Sequence, residues 1–234
     1  MRLSAKAEIG ILAMVLACGL RVAAVEHPVP LEKDADCAQC HEDKTKGTAV
    51  HSAIQMGCTA CHDVKTEKDV TTVELNAPKN QICFSCHERS TDKVQHGPYA
   101  LGRCITCHDP HTSKFPNQLR ASTNELCLNC HGLDRPDVKW NSQDKTVTLG
   151  WGQTLTLEQY QAVPKIGADK KNAGHPMMGH PFMGVRDPSV KNPDKSKVVE
   201  IGCLTCHQPH TSESLKLMPK GVKDPLALCG KCHE

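Results

Sequence analysis

Every cysteine from Cys37 onward belongs to a Cys-x-x-Cys pair, and each pair is followed at once by histidine. The seven stretches are CAQCH (Cys37, Cys40, His41), CTACH (Cys58, Cys61, His62), CFSCH (Cys83, Cys86, His87), CITCH (Cys104, Cys107, His108), CLNCH (Cys127, Cys130, His131), CLTCH (Cys203, Cys206, His207) and CGKCH (Cys229, Cys232, His233). This spacing is the attachment sequence of c-type haem. Two thiols add across the vinyl groups on one porphyrin edge, and the adjacent histidine reaches the iron from one face. A zinc ribbon has no need of a histidine after every second cysteine. Thioredoxin-type motifs occur singly in a βαβ setting. Disulfides confined to such pairs would be strained and would tie nothing together.

The composition agrees with a cofactor-filled interior. Aromatic residues make up 3% of the 234-residue chain. Aromatics supply much of the buried area of an ordinary core, so porphyrin is expected to take their place.

Seven histidines lie outside the motifs: His27, His51, His96, His111, His175, His180 and His210. Seven bis-histidine irons need that many sixth ligands. His27, His51 and His96 stand ten, seven and eight residues before the next motif, and His111 and His210 stand three after a proximal histidine, in CHDPHTS and CHQPHTS. His111 and His210 cannot readily reach the far face of their own haem, because thioethers and proximal ligand hold that segment on one face. They are expected to serve a neighbouring haem. His175 and His180 sit in GHPMMGHPFMG, among Met177, Met178 and Met183. These methionines read as soft packing against porphyrin, with iron ligation as the alternative.

The motifs also repeat. Residues Gly57–Glu88, Arg103–Gly132 and Gly202–Glu234 each carry two, with first cysteines 25, 23 and 26 residues apart. The motif at Cys37 is a half unit in front. Lys65 stands where the other two units have His111 and His210, which leaves the ligand of one iron in the first unit open.

On these residues, 37–131 and 203–234, the chain resembles the doubled-CxxCH multihaem cytochromes c. The resemblance implies a haem-wrapping fold, mostly coil with short α-helices around an extended haem array. It implies seven covalent haems, bis-histidine irons and electron transfer rather than catalysis. Redox proteins are the implied partners: other cytochromes, a quinol-oxidising membrane complex or an outer-membrane conduit. A reductase with one open iron and a subunit of a conducting filament or homo-oligomer are the rival readings.

Four regions follow: a leader over 1–24, five haem motifs over 25–132, a motif-free insertion over 133–201, and two motifs over 202–234. Arg2 and Lys6 precede the apolar run Ile9–Leu20, and small residues at Val22–Ala24 suit signal cleavage. That run is too short to span a bilayer, which takes about 20 residues. Cys18 loosely resembles a lipidation site. Export implies a periplasmic or secreted protein, with outer-membrane association as an option. Within the insertion, Lys145–Leu157 alternates like a β-hairpin, and Thr156 with Gln159 matches a capping box. The insertion holds Trp140, Trp151 and Tyr160 and reads equally as a cover over the haems behind it or as a docking surface. Ser122 with Glu125 matches a second capping box, for a helix that Gly132 ends. The formal charge of +2 falls to about zero without the leader. Two propionates per haem, offset by each ferric core, take the oxidised holoprotein to about −7, which argues against nucleic acid as a partner.

Overall fold

A computed structural model of the chain describes residues 25–32, 34–133, 137–167, 180–181, 183–188, 190, 199–222 and 224–233. The expected leader, Cys18, His175, Met177 and Met178 lie outside the described residues.

Ten short strands run through the chain: β1 (Val25–Glu26), β2 (Ala49–Val50), β3 (His62–Glu67), β4 (Val70–Leu75), β5 (Val94–Gln95), β6 (Thr112–Ser113), β7 (Lys139–Asn141), β8 (Thr146–Thr148), β9 (Thr154–Thr156) and β10 (Thr211–Ser212). Five α-helices accompany them: α1 (Gly97–Ala100), α2 (Thr123–His131), α3 (Leu157–Ala162), α4 (Cys203–Cys206) and α5 (Pro225–Cys229). Coil and short 3₁₀ turns make up most of the rest.

The strands tie each repeat to the next. β1 lies antiparallel to β4, with Val25 opposite Val73. β2 lies on β6, Ala49 opposite Ser113. β5 lies on β10, Gln95 opposite Thr211. In all three cases the segment that leads one haem motif or unit docks on the unit that follows. The docking bonds end on histidines: His51 N–H donates to His111 O and His96 N–H to His210 O, both at 2.8 Å.

β3 and β4 form the longest hairpin, in register from His62–Leu75 to Glu67–Val70. Its β-branched residues suit a pleated surface. The turn puts Lys68 at φ 57°, a value that two-residue hairpin loops require at a central position.

The hairpin expected over 145–157 is present as β8 and β9, with Val147 opposite Leu155. A third strand, β7, extends it. β7 has only three residues, Lys139–Asn141, too few for their alternation to carry a strand signal. The sheet buries Val147 and Leu149. Helix α3 starts with the expected reciprocal capping box of Thr156 and Gln159. The second box is a correction. Ser122 does cap α2 by position, but its hydroxyl makes no bond to a helix N–H; it lies 3.5 Å from the Glu125 carboxylate instead. The two side chains satisfy each other and leave the backbone donors out.

Among the described residues the buried apolar side chains are Ala121, Val147, Leu149, Ile201, Met218 and Val222. So small a set cannot close a core for a chain of this length. No helix among the described residues is long and apolar enough to cross a membrane.

Candidate haem-binding sites

Each motif folds as a tight turn. Cys37, Cys58, Cys83 and Cys104 begin or lie within 3₁₀ turns. Cys127 and Cys130 lie within α2, Cys203 and Cys206 bound α4, and Cys229 ends α5. Residues i and i+3 stand on one side of such turns, which puts both sulfurs of a motif on one edge. The histidine N–H closes the turn by donating to the carbonyl of the first cysteine, at 2.9 Å for His41, His87 and His207 and 3.0 Å for His108 and His233.

The motifs stand beside one another in chain order. Burial first, then a hydrogen bond with Cys37, raises the Cys58 thiol. Cys83 is pushed up to about 11 by burial and by the neighbouring Cys104 and Cys61. Cys107 reaches about 11 through burial and then Cys130. A hydrogen bond with Cys203, followed by burial, raises Cys127. Burial, then Cys232, raises Cys206. A sulfur in a thioether no longer titrates, so these shifts matter as a map of proximity. They link motif one to two, two to three, and so on to seven.

Histidine rings face each other across the row. Their centroids are 6.0 Å apart for His27–His41, His51–His87 and His96–His131. They are 6.2 Å apart for His62–His111 and His180–His233, and 5.9 Å for His108–His210. Each pair joins one motif histidine to one from outside the motifs. The spacing fits a metal between the rings. Two metal–imidazole bonds of about 2.0–2.1 Å, with about 1.1 Å from nitrogen to ring centre at each end, need about 6.3 Å. Stacked rings in van der Waals contact would sit about 3.5–4 Å apart.

The tautomers fit as well. The Nδ1 of His108, His131 and His207 lies 2.8, 2.8 and 2.7 Å from the carbonyls of Asn117, Pro164 and Lys216. The Nδ1 of His27, His96 and His180 meets the carbonyls of Val29, Pro209 and Pro181 at 2.8, 3.0 and 2.9 Å. A carbonyl only accepts, so Nδ1 carries the proton and Nε2 keeps its lone pair for a metal. Burial, the first cause in each case, lowers His96, His111, His131 and His210 below the ordinary histidine value and favours the neutral ligand form.

Two loops reach this arrangement through strain. Asn117 and Gln118 have φ 55° and 53°, and Lys216 and Leu217 have 61° and 54°. Left-handed backbone costs a non-glycine residue about 1–2 kcal/mol. In return, the carbonyls of Asn117 and Lys216 meet the proximal histidines. Those of Gln118 and Leu217 accept the N–H of Asp109 and Gln208, the residues after them, at 2.7 Å. Pro116 and Asn117 are turn residues and asparagine tolerates this region, whereas nothing in SLKLM signals its turn.

Lys65 is not turned towards a histidine ring. It lies on β3, in an ion pair with Glu74 at 3.0 Å. The ring facing His62 is His111, so the first unit's departure from the repeat leaves that proximal histidine with a facing partner. His175, outside the described residues, is the one distal candidate left unplaced. Met183 is exposed.

The insertion grips the fifth motif. Gly132 bridges Ile166 in parallel, Ile166 N–H donates to His131 O at 2.7 Å, and the Lys165 ammonium donates to Cys130 O at 2.6 Å. The same ammonium lies 3.8 Å over the Tyr160 ring. Burial lowers it from the ordinary lysine value.

The model of the doubled CXXCH motif family matches residues 51–92, 96–135 and 196–234. These stretches cover more than half of the chain, and the chain belongs to that family. Its CxxCH motifs are c-type haem-binding sites. Among curated proteins, the multiheme cytochrome MtrA of Shewanella baltica (strain OS185) is 32% identical over 118 residues, 47% of this chain and 35% of that one. The chain thus spans about a third of that relative's length. No solved structure matches the chain.

Proposed function

We propose that the chain is an electron carrier that holds seven c-type haems in one row. The observation that carries this reading is the line of cysteine pairs in chain order, crossed by histidine rings about 6 Å apart. Each bound haem would supply a one-electron ferric/ferrous couple. The chain's part is to hold, orient and space these groups.

In this reading the cysteine pairs 37/40, 58/61, 83/86, 104/107, 127/130, 203/206 and 229/232 make the thioethers. The axial pairs are His41 with His27, His62 with His111, His87 with His51, His108 with His210, His131 with His96 and His233 with His180. His207 takes the remaining candidate, His175, by count. In the first two units the second motif takes the histidine leading that unit, and the first takes the PH histidine of the unit after it; in the third unit His233 follows the rule, while His207 is assigned by count alone. Two histidines at each haem would leave no iron open for a substrate. The reductase reading loses its motive, since it rested on an iron left bare by Lys65.

In this reading the leader over 1–24 is an export signal, and the carrier works in the periplasm or at the cell surface, passing electrons between other cytochromes or a membrane complex. Intact mass of the secreted protein tests the haem count, with seven haems expected. An EPR spectrum of the oxidised form tests the ligation, with only low-spin ferric signals expected. A count well below seven, or a sizeable high-spin signal, would overturn the reading.

A further inference from the structure

We infer that the insertion sets the reduction potential of the fifth haem, and that the fixed positive charge of Lys165 is the setting residue. The inference rests on the haem reading above. Three contacts converge on one place. Pro164 O orients His131 through Nδ1 at 2.8 Å. Lys165, the next residue, spends its ammonium on Cys130 O at 2.6 Å, between the thioether cysteine and the ligand. Ile166 N–H then donates to His131 O at 2.7 Å, which locks the segment in register. Tyr160 from α3 lies under the ammonium, 3.8 Å away, and holds it there. The clamp belongs to the insertion, which no other unit carries. Among the described residues, no other motif has a lysine ammonium bonded to the carbonyl of one of its cysteines.

The consequence follows from charge alone. Reduction of ferric to ferrous haem adds one electron and lowers the positive charge at the iron by one. A nearby cation favours the reduced form, so Lys165 raises that potential. The bland account is that Lys165 only caps the carboxyl end of α2, as lysines often do. That account predicts a stability change and no selective redox change.

Potentiometric titration of the holoprotein separates the two. Lys165→Met keeps the length and removes the charge. It is expected to lower the reduction equilibrium constant of one haem about tenfold, which is about 59 mV for a one-electron couple. The other six steps stay in place. Lys165→Arg restores the original step. The gap between wild type and Lys165→Met narrows as salt is raised. Tyr160→Leu, which unseats the ammonium without removing it, gives a smaller fall in the same step. Replacing the fifth haem's other ligand, His96→Met, marks which step belongs to that haem. An unmoved step, a uniform shift of all steps, a gap insensitive to salt, or a shift in a different step from His96→Met would overturn the inference. A protein without haem by intact mass would overturn the haem reading too; seven haems with no shift would sink only this inference.

Discussion

The first and second repeats start from the same plan and part ways just after their first motif. In the second, the chain leaves CITCH through Asp109-Pro110 to His111, whose ring faces His62 one unit back at 6.2 Å. In the first, it leaves CTACH along β3, and Lys65 takes the equivalent place in an ion pair with Glu74. The rings of both PH histidines, His111 and His210, face a motif histidine of the unit before, and on the proposed ligation neither serves its own unit. Each is donated backwards. The first repeat has only a half unit before it, whose His41 already faces His27 at 6.0 Å. On the proposed ligation the position has no haem to serve, and a hairpin with ordinary β chemistry occupies it.

The sharpest way to break this comparison is to remove the donated histidine. His111→Ala is expected to leave one haem without its sixth ligand and to give a high-spin ferric EPR signal of one haem in seven. Lys65→Ala, at the matching place, is expected to leave the spectrum wholly low-spin. If Lys65→Ala produced the high-spin signal and His111→Ala did not, the backward register would be wrong.

How much of this was legible in the sequence depends on the kind of residue. The motifs were fully legible, because covalent attachment fixes residue type and spacing together. That the rings of His111 and His210 would face another unit was legible from the geometry of one haem face. Which neighbour was not, since the direction is set by three two-residue strand pairings, β1 on β4, β2 on β6 and β5 on β10. Strands that short carry no periodic signal. The box at Ser122 failed because two polar side chains met each other, a choice that sequence spacing does not decide.

The second and third repeats meet through a side chain the first two do not share. Asn124 on α2 accepts the N–H of Cys203 at 2.9 Å, at the start of α4, which packs on α2. Asn124→Ala removes a half-buried acceptor and leaves that N–H unpaired, at a cost of about 1–3 kcal/mol. Denaturant unfolding of the holoprotein measures it. A loss below about 0.5 kcal/mol would mean that the thioethers alone hold this junction.

The strained loops of the second and third repeats make a gain-of-stability test. Lys216→Gly keeps the carbonyl that meets His207 and removes the left-handed penalty. Part of that relief is offset by the wider freedom of glycine in the unfolded chain. A net gain of up to about 1 kcal/mol is expected, with the low-spin spectrum unchanged. Lys68→Gly in the hairpin turn of the first repeat should behave alike, because the same backbone region is at issue. Loss of low-spin character in Lys216→Gly would show that the side chain, rather than the carbonyl, positions His207.

The smallest effect should come from the ion pair that replaced ligation. Lys65 and Glu74 face solvent across the β3–β4 hairpin, with the lysine side chain 60% exposed. Their hydrogen bond raises Lys65 and is screened by water and salt. Glu74→Gln is therefore expected to leave unfolding, haem count and spin state where they are. A clear loss of the sixth ligand at His62 in that variant would mean that the hairpin positions His62 through its charges. In the present structure the ladder does so, with His62 opposite Leu75 at the hairpin's open end and Asn76 N–H donating to Cys61 O at 3.0 Å. Both backbone constraints survive the substitution, so the position of Lys65 can vary in sequence while His62 keeps facing His111.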